Sequence, residues 1–125
     1  MNTHPPFGPS SIGPNSNSFV QKLASVLEHI FQDEDLCIPV IAQQLNMDDV
    51  TLWRKTKRYC KTNPQLLLRD FRLAKAYAML HDPEMRISDI AYDCGFRSIT
   101  NFSRVFKDKY KVSPLDFRRG LESAG

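Results

Sequence analysis

Ile87-x-x-Ile90-Ala91, Phe102-x-Arg104-x-x-Lys107 and Ser113-Pro114 are a stretch the chain carries twice. Ile38-x-x-Ile41-Ala42, Leu52-x-Arg54-x-x-Lys57 and Asn63-Pro64 precede it in the same order. The offset is 49 residues from Ile38 to Ile87 and 50 from Leu52 to Phe102, so one residue is inserted between the alanine and the Leu/Phe. Repetition of this kind marks a supersecondary unit used twice. Each copy reads as a short helix, a turn and a second helix. That is a helix-turn-helix, whose second helix lies in the major groove of DNA.

Working outward, the first unit covers residues 38–60. A helix from Ile38 to about Leu45 carries Pro39 in its first turn, where a missing N–H does no harm. Asn46-Met47 is the turn, because Asn is the non-glycine residue that best tolerates the left-handed conformation. Asp48 caps a helix over Asp49 to Cys60. Asn63-Pro64 is an N-cap followed by a first helical residue, opening a joining helix over 64–80 that ends at His81-Asp82-Pro83. Its apolar positions, Leu67, Leu68, Phe71, Leu73, Ala76, Tyr77 and Leu80, make more than one buried face, as suits a helix between two units. The second unit covers 87–110, with a helix over Ser88 to Cys94, a turn at Gly95-Phe96 and a helix over Ile99 to Tyr110 capped by Ser98. A last helix starts at Pro114 behind Ser113. Upstream, Val20, Leu23, Ala24, Leu27, Ile30 and Phe31 fall on one helical stripe from Ser18, closed by the acidic loop Asp33-Glu34-Asp35. No run alternates at period two for long enough to be a strand. The expectation is an all-α domain over 18–121 with about seven helices. Residues 1–17, rich in Pro, Ser and Asn, read as a disordered tail or linker.

Of the 17 Lys and Arg, all but Lys22 and Arg86 lie between Arg54 and Lys75 or between Arg97 and Arg119, where Asp70, Asp108 and Asp116 are the only acids. Two basic islands, one per copy, suit a surface that neutralises phosphates. Solvated helix faces are the plain alternative. Cys37, Cys60 and Cys94 are odd in number and in no C-x-x-C arrangement, which argues for reduced thiols in a cytosol and against a disulfide frame or zinc site. There is no signal-peptide pattern and no apolar run long enough to span a membrane, so a cytoplasmic location is expected. His4, His29 and His81 are accompanied by no nucleophile, carboxylate pair or glycine-rich phosphate loop. An enzyme is therefore not expected, and no cofactor or metal is implied. His81 reads as a partner of the joining helix's C-terminus.

Spacing assigns the faces of each second helix. Leu52, Thr56 and Tyr59 face inward in the first, leaving Asp49, Val50, Trp53, Arg54 and Lys57 outward. Phe102, Val105 and Phe106 anchor the other, leaving Arg97, Ile99, Thr100, Ser103, Arg104 and Lys107 outward. Arg54 and Arg104 occupy equivalent places. A guanidinium reaching guanine O6 and N7 is the commonest specific base contact, though phosphate contact and a structural role stay open for both. Trp53 reads equally as half-buried core or as a contact to thymine methyls. Lys57 and Lys107, one turn on, are expected at phosphates together with Arg58, Arg97 and Ser103. Asp48 and Asp49 suit the helix dipole but repel phosphate, which makes the first unit the less certain reader.

Gly95-Phe96, Asn101 to Lys107, Val112-Ser113-Pro114, Phe117-Arg118-Arg119 and Arg72-Leu73-x-x-Ala76-x-x-x-Leu80 resemble the signature of AraC/XylS-type transcription regulators. The resemblance runs over about Ser18 to Arg119. Leu52-Trp53-Arg54-Lys55-x-Lys57 is similar to the output domains of hybrid two-component regulators in that family. The resemblance implies two helix-turn-helix units on one long helix, docked in successive major-groove segments of double-stranded DNA. Its base-reading positions fall on Val50, Trp53, Arg54, Ile99, Thr100 and Arg104. The chain departs from the family at Cys37, in place of a Ser/Thr-like cap, at Asp48-Asp49, at Thr56 and Leu67, and at Lys61 and Lys111, where Gly is common. RNA polymerase and a receiver or sensor domain of a longer regulator are the further partners implied. The competing reading is a helical protein-interaction module that meets an acidic partner.

Overall fold

The computed structural model describes residues 14–124 and holds seven helices with no strand among them. They are α1 (Pro14–Ile30), α2 (Ile38–Gln44), α3 (Asp49–Cys60), α4 (Pro64–Met79), α5 (Ile87–Asp93), α6 (Ile99–Tyr110) and α7 (Pro114–Ala124). The first helix opens at Pro14 rather than Ser18, so residues 14–17, assigned above to the tail, are helical. Proline suits a first helical position, which needs no N–H donor. The rest of the expected tail lies outside the described residues.

The chain forms two compact units. One comprises residues up to Phe31 together with Leu36–Phe71; the other comprises Gln32–Asp35 and the chain from Arg72 onward. In the first, α1 packs on α2 and α3. Its core is Phe19, Val20, Leu23, Leu27, Ile41, Ala42, Leu52 and Leu67, all buried. Phe31 meets Phe71 edge-on at 5.6 Å between ring centroids. Thr56 is fully buried, and its hydroxyl donates to the Leu52 carbonyl at 2.7 Å. Such back-bonding to the residue one turn earlier is how a threonine satisfies its hydroxyl inside a helix. A polar group thus fills a core position without an unmet hydrogen bond.

In the second unit α5 and α7 both pack on α6. A chain of rings runs from its core to its surface: Phe96 to Phe102 at 5.1 Å, Phe102 to Phe106 at 5.7 Å, Phe106 to Tyr110 at 4.6 Å and Phe117 to Tyr77 at 4.7 Å, with Tyr77, expected on a buried face, exposed. These separations and tilted geometries are those aromatic pairs prefer. Arg118, part of the Phe-Arg-Arg signature, donates to the carbonyls of Met85 (2.5 Å), Asp82 (3.0 Å) and Leu80 (3.3 Å). One guanidinium thereby gathers three carbonyls of the connection between α4 and α5. His81 Nδ1 lies 3.0 Å from the Tyr77 carbonyl, as expected of a residue at that helix end.

Candidate nucleic-acid interface

The turn and cap before each second helix fix where its exposed face points. In the first unit Asn46 takes the left-handed conformation (φ 57°), and the Asp48 carboxylate accepts from the Thr51 N–H at 2.7 Å. Hydrogen bonding by the Thr51 side chain foremost, and by its N–H, holds the Asp48 carboxyl below its usual value. In the second unit Gly95 turns at φ 90°, and Ser98 Oγ accepts from the Asn101 N–H at 3.0 Å. Both helices end on a left-handed lysine, Lys61 (φ 61°) and Lys111 (φ 67°). Glycine adopts this conformation without steric cost.

On α3 the inward set is as the spacing predicts: Leu52 and Thr56 are fully buried and Tyr59 half-buried. Asp49, Val50, Trp53, Arg54, Lys57 and Arg58 are exposed. Val50 at 75% and Trp53 at 38% exposure are large apolar side chains at the surface. Trp53 is thus partly covered and partly open on the outer face, and both readings of it given above remain. On α6, Phe102, Val105 and Phe106 are buried, Ile99, Thr100, Arg104 and Lys107 are exposed, and Ser103 is half-buried. Arg97 precedes the helix and is exposed, but its guanidinium donates to the Asp35 carboxylate at 2.6 Å. A phosphate contact by Arg97 therefore means exchanging one anion for another. With side chains 66% and 74% exposed, that ion pair is weakly held.

Two contacts escaped the spacing argument. Asp33 and Asp35 are tied to Arg72 and Arg97, 39 and 62 residues away in sequence, through Arg72 Nη2 to the Asp33 carbonyl (2.7 Å) and the Arg97 ion pair. Nothing local announces pairs so far apart. Arg104 Nη2, by contrast, donates to Asn101 Oδ1 at 2.7 Å. Its signal was in the sequence, as two polar residues three apart on one helix.

The thiols are chemically quiet in two of three cases. Cys94 is buried, its Sγ 3.5 Å from Met79 Sδ, and burial foremost, with Asp93 beside it, pushes the thiol up to about 12. Burial also raises Cys60. Cys37 is exposed. Among the described residues no group of His, Cys, Asp and Glu could hold a metal ion, and no helix is long and apolar enough to cross a membrane.

A family profile described as a helix-turn-helix domain matches residues 41–120. The HTH-type transcriptional activator RhaS of Salmonella schwarzengrund (strain CVM19633) is 32% identical over 109 residues, which is 87% of this chain and 39% of that protein. The chain thus spans about two fifths of the length of the curated relatives it matches. Among solved structures, the C-terminal domain of AraT, a response regulator from Geobacillus stearothermophilus, superposes with a TM-score of 0.77 at 29% identity, covering 89% of this chain and 88% of that one. An AraC-type transcriptional regulator from Chromobacterium violaceum gives 0.79 at 25% identity, covering 90% and 100%. The DNA-binding domain of AdpA, solved with a target DNA, shares the fold at a TM-score of 0.76 and 22% identity, covering 83% and 92%. With seven helices, two capped helix-turn-helix units and this match over most of its length, the chain belongs to the AraC/XylS-type family of helix-turn-helix DNA-binding domains.

Proposed function

We propose that α3 and α6 are the reading helices of a sequence-specific transcription regulator, entering successive major-groove segments of double-stranded DNA. Val50, Trp53 and Arg54 meet bases from the first unit, and Ile99, Thr100 and Arg104 from the second. Lys57, Arg58, Ser103 and Lys107 meet phosphates, and Arg97 joins them on leaving Asp35. The observation that carries this reading is the pairing of buried and exposed faces on α3 and α6, with an arginine at the same place on each exposed face. Apolar Val50, Trp53 and Ile99 beside those arginines match the thymine methyl groups that line the major groove.

The test separates base contact from phosphate contact. Arg104→Ala is expected to cost about 1–3 kcal/mol of specific binding and to relax preference at one or two base pairs. Equal loss on specific and random duplexes would make Arg104 a phosphate contact. Lys57→Ala and Lys107→Ala are expected to weaken all sequences alike, each lowering the salt slope by about one. An affinity independent of salt would favour an acidic protein partner over DNA.

The whole regulator is larger in this reading. A receiver or sensor domain supplies the signal and RNA polymerase receives the output, in the cytoplasm, where the chain's uncrosslinked thiols stay reduced. Similarity to the C-terminal domain of a response regulator supports the receiver.

A further inference from the structure

Asn101 is exposed on α6 beside Arg104, and its side chain is joined to that guanidinium by a 2.7 Å hydrogen bond. A guanidinium has donors only, so the atom facing it must be the amide oxygen. The bond therefore fixes which way the amide points. With Oδ1 held by Arg104 on an exposed residue, the Nδ2 amino group is left to donate elsewhere. A free asparagine reads adenine by giving one hydrogen bond and accepting another. In Asn101 the guanidinium takes one of the two Oδ1 lone pairs, and its positive charge disfavours a second donor, such as the adenine amino group, at that oxygen. What remains, on both residues, is foremost a surface of donors.

We propose that Asn101 is a specificity-determining residue, acting with Arg104 as one unit that offers donors foremost and selects two neighbouring guanines. The inference rests on the reading of α6 as a base-contacting helix. Its chemistry follows from the base edges in the major groove. Guanine alone shows two acceptors, N7 and O6; adenine sets its one acceptor, N7, beside an amino donor that opposes further N–H groups, cytosine shows an amino donor alone, and thymine shows a single acceptor beside a methyl group. The fork of Arg104 keeps its other N–H groups for the first guanine. Nδ2 of Asn101 takes the second. The same bond narrows the rotamers of a long flexible side chain before DNA arrives, so less freedom is lost on binding.

The experiment uses a duplex selected from random DNA by the wild-type chain. Each guanine in the half-site of the second unit is replaced in turn by deazaguanine, which lacks the N7 acceptor, and dissociation constants are measured for wild type, Asn101→Ala, Asn101→Asp and Arg104→Ala. Wild type should lose about tenfold at each of two adjacent guanines, the discrimination a good base contact provides. Asn101→Ala should become insensitive at one of them and keep part of its sensitivity at the other. Asn101→Asp retains an acceptor for Arg104 but has no amino group. It should keep full sensitivity at the Arg104 guanine and none at the second. If Arg104→Ala alters the profile while both Asn101 variants match wild type, the inference is overturned and the reading of α6 stands. If neither Arg104→Ala nor an Asn101 variant changes any base preference, both are overturned. Asn101→Asp behaving as wild type at both guanines, with only Asn101→Ala impaired, would reduce Asn101 to a positioning residue and refute its contact with DNA. Thermal unfolding of each variant, expected to match wild type at this exposed position, checks that the fold is intact.

Discussion

Lysine at a left-handed position carries a steric cost that glycine does not, since its Cβ crowds the following carbonyl. Lys111 closes α6 at φ 67° and is exposed, so nothing it packs against offsets that cost. Lys111→Gly should therefore stabilise the protein by about 1 kcal/mol, the left-handed strain less the greater freedom of glycine when unfolded. Lys111→Ala keeps the strain and should give no gain. A denaturation midpoint that rises for both or for neither would contradict this account. Asp48 presents a different conflict, between a cap and a charge. Its carboxyl is held below its ordinary value in the folded state, so the stability it contributes is present above about 3.9, the unfolded value, and is lost as pH falls through the lower folded one. Asp48→Asn keeps an acceptor for the Thr51 N–H and should remove that acid sensitivity. In the proposed reading it should also tighten binding to every duplex, because a negative charge leaves the start of α3. Unfolding followed between pH 2 and 6 and binding to random DNA check the two halves separately.

Among the elements, caps account for how well the boundaries were read. Both α3 and α6 run over the predicted residues, because Asp48 and Ser98 stand where a side-chain acceptor is needed and both accept as expected. Likewise Asn63 Oδ1 accepts from Leu66 N–H at 2.9 Å and Ser113 Oγ from Asp116 N–H at 3.1 Å, at the starts of α4 and α7. Helix α1 was the exception. Pro14-Asn15-Ser16-Asn17 has no apolar residue, so a period search passes over it. The α2 helix shows the reverse case: Cys37 has the extended backbone of an N-cap but makes no side-chain cap bond. Pro39 has no N–H, so a hydroxyl in Cys37→Ser could serve only the Val40 N–H, which now donates to the Cys37 carbonyl at 3.1 Å, and should stabilise by about 0.5 kcal/mol, while Ser98→Ala should lose about 1 kcal/mol. If Cys37→Ser is neutral, the family's preference for Ser or Thr there has some cause other than capping. Of the interface, the two exposed faces were legible, since they follow from which residues the core takes. Arg97 with Asp35 and the carbonyls gathered by Arg118 were not, because partners 33 to 62 residues apart leave no local pattern.

For the whole molecule, the tandem order of the repeat predicts half-sites in direct orientation, centred about 10 base pairs apart, the helical period of B-DNA. Inserting about five base pairs, half that period, turns the second groove to the far side of the duplex. Footprinting should then show one half-site protected and affinity reduced. Undiminished binding by both readers would refute their action as a fixed pair. The same molecule resists being divided on paper. Its two units share α4, which passes from one to the other between Phe71 and Arg72, and Gln32–Asp35 belongs to the second unit although the first unit's chain surrounds it. A gene fragment starting at Arg72 would encode half a helix without its Asn63 cap, and would lack the loop that binds Arg72 and Arg97. Although the repeat records two copies of one motif, neither copy is any longer a removable cassette. A crossover at Arg72 would part Arg72 and Arg97 from the acidic loop that holds them, so exchange between regulators is expected to carry both copies together.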